Sequence, residues 1–232
     1  MGHLDLTKES YTENPDAYWE ARGGPGYPGT LRPEYREQVP IQKEFFLALM
    51  KGRNVQSLLD FGCGTGKHFD VWQPIGRVVA YDRSQSMIDV SRETQQRLGT
   101  GYNIIRGNSN NRKSLPFASG QFDIVAACEV LPHVLEADIQ FVVQELHRIL
   151  GDGGAIGAIV SPPDHQFAAH SFNHDYKDLF TRCDFFVSYD RISNGYRYLV
   201  AEKRGPLGTV EGAGSARRDS TVTENKTVGT SC

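Results

Sequence analysis

The residues best suited to chemistry lie at Leu58-Leu59-Asp60-Phe61-Gly62-Cys63-Gly64-Thr65-Gly66. An apolar run ends in a carboxylate, and three glycines follow at alternate positions. Such glycines suit a backbone that a ligand touches directly, because a Cβ there would collide with it. The spacing discriminates between nucleotides. A pyrophosphate-binding loop reads G-x-G-x-x-G, and counted from Gly62 its last glycine falls on Lys67. Nor does the stretch read G-x-x-x-x-G-K-[ST], the phosphate-cradling pattern. The loop therefore fits an uncharged nucleoside better than a pyrophosphate.

A second carboxylate, Asp82, closes the run Val78-Val79-Ala80-Tyr81, 20 residues beyond Gly62. At a strand tip it can accept both hydroxyls of a ribose. Taken alone it fits equally well as a cap for the helix that begins after Ser84. Beside the glycine loop, the ribose reading prevails. Two roles also fit His133 in Glu129-Val130-Leu131-Pro132-His133-Val134: a general base titrating near working pH, or a packing residue at a helix start. Further on, His165, His170 and His174 lie with Asp164 and Asp175 in ten or so residues of loop. A transition-metal site, a substrate contact and a plain polar loop all fit that cluster.

Elements that could position these groups follow from periodicity. Asn14-Pro15-Asp16 reads as a helix start, and the short helix would carry Tyr18 and Trp19 and stop at Gly23. A loop rich in Gly and Pro spans Gly24 to Pro33. Ile41, Phe45 and Leu49 then mark an amphipathic helix starting near Pro40. From Val55 onward apolar runs alternate with helical stretches. The strands predicted are Val55–Leu59, Val78–Tyr81, Tyr102–Ile105, Phe122–Cys128 and Ala155–Val160. The helices predicted between them are Thr65–Trp72, Gln85–Leu98 and Asp138–Leu150, the last ended by Gly151 as a left-handed residue. Phe185–Tyr189 and Tyr196–Glu202 flank Ser193-Asn194-Gly195, a hairpin signal. Near-continuous apolar strands separated by helices imply a parallel sheet covered on both faces, here ending in an antiparallel hairpin. Tyr11, Tyr18, Trp19 and Tyr27 precede the core as an aromatic set that serves as a lid or as a cover for the sheet edge.

Composition narrows the partners. A net charge of −3 over 232 residues gives no bulk attraction for nucleic acid or an anionic membrane surface. No run approaches the ~18 apolar residues of a membrane span. The polar amino terminus lacks a secretion signal, so the cytoplasm is the expected compartment. Cys63, Cys128, Cys183 and Cys232 form no C-x-x-C pair, so reduced thiols are expected rather than zinc knuckles or a disulfide framework. Beyond Arg204 no apolar periodicity remains, and that tail reads as disordered.

Four segments in order resemble the class I methyltransferases that use S-adenosyl-L-methionine (SAM), in particular the small "methyltransferase domain" group. LLDFGCGTG is similar to the family's first motif and YDRSQSMIDVSR to its second. Ser114-Leu115-Pro116-Phe117 with Gln121-Phe122-Asp123-Ile124-Val125 resembles the block leading into the fourth strand. Glu145-Leu146-His147-Arg148-Ile149-Leu150-Gly151-Asp152-Gly153-Gly154 resembles the segment before the fifth. The resemblance runs from about Val55 to Gly154. It implies an α/β fold: a Rossmann-like, doubly wound, mostly parallel seven-stranded sheet ending in an antiparallel hairpin, under a short N-terminal helical lid. Residues 1–50 would be the lid segment, 51–204 the SAM-binding domain and 205–232 the tail.

The resemblance also implies site roles. Asp60 and the backbone at Gly62 and Gly64 would hold the methionine end of SAM, with Cys63 and Gly66 in the same loop. Asp82, followed by Arg83, would hold the ribose, and Met87 would pack on the adenine. Asn108, with Ser109 beside it, stands where the family commonly has Asp, and its amide oxygen can still accept from the adenine amine. Cys128 would meet the cofactor through its backbone. Glu129 to His133 resembles the E-x-x-E-H metal segment of quinone-pathway O-methyltransferases, but Pro132 replaces the second Glu, so no metal is expected. The implied reaction is methyl transfer to O or N of a small-molecule acceptor, with His133 as base where a hydroxyl must lose a proton. The alternatives are a protein or RNA methyltransferase and a non-catalytic SAM-binding partner subunit. Neither the acceptor nor the oligomeric state follows from the sequence.

Overall fold

Seven strands build one sheet: β1 (Ser57–Phe61), β2 (Arg77–Asp82), β3 (Asn103–Arg106), β4 (Phe122–Cys128), β5 (Leu150–Val160), β6 (Phe185–Ser193) and β7 (Tyr196–Lys203). In the computed structural model, which describes residues 8–23, 26, 33–107, 114–160 and 171–205, their order is β3-β2-β1-β4-β5-β7-β6. The first five strands run parallel, and β7 is antiparallel to both β5 and β6. The chain steps outward from β1 to β3, then returns to place β4 on the other flank of β1. That reversal opens a crevice beyond the carboxyl ends of β1 and β4, where ligands bind in open α/β sheets.

Helices α1 (Lys8–Glu13), α2 (Pro15–Arg22), α3 (Pro33–Met50), α4 (Gln85–Leu98), α5 (Ile139–Ile149) and α6 (Tyr176–Arg182) complete the fold, with one 3₁₀ turn at Leu131–His133. Both sheet faces are covered. On one, Val143, Leu146 and Ile149 of α5 meet Leu179 and Phe180 of α6. On the other, Phe46 and Leu49 of α3 pack with Phe69, Trp72 and Ile88. The strands β1 and β4 are buried nearly throughout, which is why their sequences read as continuous apolar runs rather than alternating ones.

Several expectations are corrected. Thr65–Trp72 is not an α-helix but a succession of turns, bonded Phe69 N–H to Gly66 O and Val71 N–H to His68 O. Gly66, at φ 78°, is left-handed and cannot enter a right-handed helix. The helix expected near Pro40 begins at Pro33 and runs through Pro40. Pro40 forfeits one helical hydrogen bond, offset by the burial of Phe46 and Leu49. Gly151 does not end α5: the cap is Leu150, in extended conformation, and β5 starts there. Helices α1 and α6 had no counterpart in the sequence reading. The loop of Gly24 to Pro33, apart from Gly26 and Pro33, lies outside the described residues, as does the tail beyond Gly205. Among the described residues no helix is long and apolar enough to cross a membrane.

Candidate active site

At the carboxyl end of β1 the backbone turns through Gly62 and Gly64, both left-handed with φ 73° and 54°. The two glycines face different surroundings. A Cβ on Gly62 would lie 2.6 Å from Val130, whereas a Cβ on Gly64 would meet no heavy atom within 4 Å. Gly62 is therefore wedged against the protein and Gly64 borders open space, a cradle that any side chain would fill. The loop is tied to β2, since Gly62 and Cys63 donate their N–H groups to the Tyr81 carbonyl at 2.8 and 3.1 Å.

Asp82 completes this tie. Its Oδ2 accepts the Gly64 N–H at 2.8 Å and its Oδ1 accepts the Ser84 N–H at 3.0 Å. Burial raises its pKa, against the pull of these two N–H donors and of Arg83. Each carboxylate oxygen keeps acceptor capacity beyond one bond. The cap of α4 is not Asp82 but Ser84, whose Oγ accepts the Met87 N–H at 3.2 Å. Met87 itself is buried at the start of that helix.

Asp60, at the end of β1, is 3% exposed. It accepts a 2.8 Å hydrogen bond from Trp72 Nε1, a fully buried ring. Burial pushes Asp60 up to about 7, partly countered by the Trp72 bond and the Lys67 ammonium, and reinforced by Asp82. Cys128, ending β4, is pushed up to about 12 by burial. Burial also raises Cys63 well above the ordinary thiol range. Both thiols stay protonated near neutral pH, so neither is a nucleophile. Trp72 and Lys67 were missed in the sequence: Trp72 stands twelve residues from its carboxylate, and no short motif announces such a pairing.

The N-terminal helices fold over this crevice. Glu20 of α2 accepts the Gln85 and Ser86 N–H groups at 2.7 and 3.2 Å, placing a carboxylate on the amino terminus of α4. Ser86 Oγ donates to the Glu20 carbonyl at 3.0 Å, and Ser84 Oγ to the Trp19 carbonyl at 3.3 Å. Arg83 pairs with Asp16 at 2.7 Å. On the far side the Tyr11 hydroxyl donates to the His133 carbonyl, and the Trp19 ring meets the His133 ring edge-to-face at 5.1 Å. Glu20 carried no sequence signal, and Asp16 was legible only as part of a helix start.

His174 does not join a histidine cluster in the described region. It is buried, its Nε2 lies 2.9 Å from the Val134 carbonyl, and its ring sits between Phe172 and Tyr176. Asn108, Ser109, His165 and His170 lie outside the described residues, and among those described no three ligands gather for a metal. Glu145 and Arg148 prove structural. Glu145 accepts the Leu115 N–H at 2.7 Å, while Arg148 donates to the Leu115 and Phe117 carbonyls at 3.1 and 2.8 Å. The acid–base pair thus pins the segment that leads into β4.

Comparison with known proteins agrees with this geometry. Residues 59–157 match a family model described as "Methyltransferase domain". A Streptomyces fradiae protein, the "Uncharacterized 37.1 kDa protein in transposon TN4556", is 30% identical over 141 residues, 59% of this chain and 37% of its own length. The ubiquinone/menaquinone biosynthesis C-methyltransferase UbiE of Escherichia coli is 27% identical over 174 residues, 71% of this chain and 65% of its own. The chain thus spans between 37% and 65% of the length of these curated relatives. Among solved structures, the Burkholderia thailandensis 1,6-didemethyltoxoflavin-N1-methyltransferase, with bound 1,6-didemethyltoxoflavin and S-adenosylhomocysteine, superposes with a TM-score of 0.65. That match covers 88% of this chain and 93% of the other at 16% identity, a likeness of fold. Over residues 59–157 the chain is similar to a methyltransferase domain, and its sheet shares the Rossmann-like fold of the methyltransferase structures it superposes on.

Proposed function

We propose that the chain is an enzyme that transfers the methyl group of SAM to an oxygen or nitrogen of a small-molecule acceptor. One observation carries the cofactor part: the Asp82 carboxylate holds the Gly64 N–H at 2.8 Å beside a position where a Cβ meets nothing. A fixed acceptor next to an open backbone suits a ribose lying against glycine. When bound, SAM supplies an electrophilic methyl carbon on a sulfonium, so the protein's task is alignment. In this reading Asp82 accepts the ribose hydroxyls, Asp60 faces the methionine ammonium, and Met87 lies under the adenine with Asn108 and Ser109. The Cys128 backbone borders the methyl group. Residues 51–204 form the SAM-binding unit, with 1–50 as its lid.

His133 takes the proton from a hydroxyl acceptor, which its place on the turn after β4 favours. A neutral amine needs no base before attack. A second reading is supported by the E. coli relative, whose printed name is a C-methyltransferase: an acidic carbon could take the place of oxygen, with the same base. Calorimetry tests the core of the proposal. S-adenosylhomocysteine is expected to bind in the micromolar range, roughly −8 kcal/mol, and NAD far more weakly. Tighter binding of NAD would sink it.

A further inference from the structure

Resting on the methyl-transfer reading, the geometry points to Trp19 as the acceptor-recognising residue, and to a flat aromatic or heteroaromatic ring as the acceptor class. The placement of Trp19 is the first ground. Its carbonyl accepts from Ser84 Oγ, two residues past Asp82, while its ring lies 5.1 Å from that of His133, just past the end of β4. The residue therefore spans from the end of β2 to the end of β4, across the intervening end of β1 where the crevice opens. An in-line displacement brings the acceptor to the methyl group from the side away from sulfur. Over β4 that side is bounded by α2 and by the turn carrying His133.

The second ground is what surrounds it. Tyr18 stands edge-on to Trp19 at 5.4 Å and to Tyr11 at 5.2 Å, and Tyr11 lies 6.3 Å from Phe172. Rings from the N-terminal helices, from the turn after β4 and from the segment after β5 thus converge. Tyr11 and Tyr18 are buried and form the backing, whereas Trp19, His133 and Phe172 are half-buried. Of the charged groups of α2, Asp16 pairs with Arg83 and Glu20 with the amino terminus of α4, while Arg22 donates to the Tyr18 hydroxyl at 3.2 Å on the buried side of the set. A wall of ring faces and edges favours a partner with a π-face, which stacks or meets it edge-on. A saturated ring of equal size offers neither arrangement.

The test uses the full chain with S-adenosylhomocysteine bound and two size-matched probes, 2-naphthol and 2-decalol. Binding is read by calorimetry and by tryptophan emission. The chain has two tryptophans, and Trp72 is fully buried, so a quench lost in Trp19→Leu is assigned to Trp19. We expect 2-naphthol to bind about tenfold more tightly than 2-decalol. Trp19→Leu should lose that preference while S-adenosylhomocysteine binds within threefold of wild type, and Trp19→Tyr should recover most of it. Equal binding of the two probes, no binding of 2-naphthol at millimolar concentration, or an unchanged preference in Trp19→Leu would each overturn the inference. Failure of S-adenosylhomocysteine to bind the wild-type chain is read in the same cell and would instead sink the methyl-transfer reading.

Discussion

Asp82 Oδ2 accepts the Gly64 N–H at 2.8 Å, joining the acidic end of β2 to the glycine turn after β1. One side chain thereby shapes the loop and faces the proposed ribose. Replacing it with Ala removes both duties. Hydrogen bonding to a charged acceptor is worth ~1.5–3 kcal/mol, so Asp82→Ala should weaken S-adenosylhomocysteine binding about ten- to a hundredfold. The domain should still fold, because the Tyr81 carbonyl keeps its two loop donors. Unchanged affinity in calorimetry would reduce Asp82 to a loop-shaping role.

Gly62 and Gly64 should respond differently to alanine. Both pay the left-handed strain of ~1 kcal/mol. Only Gly62→Ala also drives a methyl into Val130 at 2.6 Å, so it should lower Tm further. Gly64→Ala should retain most of its Tm yet bind S-adenosylhomocysteine at least about tenfold more weakly, since its methyl projects into the cradle. Equal losses of Tm with intact binding in both variants would refute the assignment of the open side.

Cofactor affinity should depend on the proton at Asp60. With its pKa raised to about 7 by burial, Asp60 is mostly neutral in acid and ionised above pH 7. An ammonium is paired by the carboxylate, not by the acid. Binding of S-adenosylhomocysteine should therefore strengthen as pH rises through 7, by up to about tenfold per unit below that point, and level off above it. Asp60→Asn should flatten the profile. Affinity that rises on acidification would place Asp60 away from the ligand ammonium.

Arg148 is expected to matter for order rather than chemistry. Its guanidinium bridges Glu145 and the carbonyls of Leu115 and Phe117. Arg148→Ala should cost about 1–3 kcal/mol of stability and speed hydrogen exchange at the Leu115 amide, which Glu145 holds. Exchange at that amide as slow as in wild type would show that Glu145 suffices.

Short-range patterns made much of this legible. The alternating glycines, the two strand-end carboxylates and the hairpin at Ser193-Asn194-Gly195 each depend on neighbours a few residues apart, and the structure places β6 and β7 around that turn. Thr65–Trp72 reads as a helix between two strands, because the sequence does not reveal that Gly66 adopts φ 78°. The pairings missed are those made by tertiary placement: Trp72 with Asp60, Glu20 with the start of α4, and Glu145 with Leu115. Glu145 and Arg148 show the boundary well. Their i,i+3 spacing is readable, but the backbone they hold lies 30 or more residues away.

The covering of the crevice by α1 and α2 has a consequence for the order of folding. Tyr11 reaches a carbonyl 122 residues downstream, and Glu20 meets amides 65 and 66 residues on. The Tyr11 closure costs more chain entropy than any strand pair, the Glu20 closures about as much as the pairing of β1 with β4, and all need a finished surface to close upon. Although α1 and α2 precede the sheet in the chain, they dock only once β4 and the turn after it have been made. Folding of the sheet precedes sealing of the crevice, and the cofactor can enter a core that is already built.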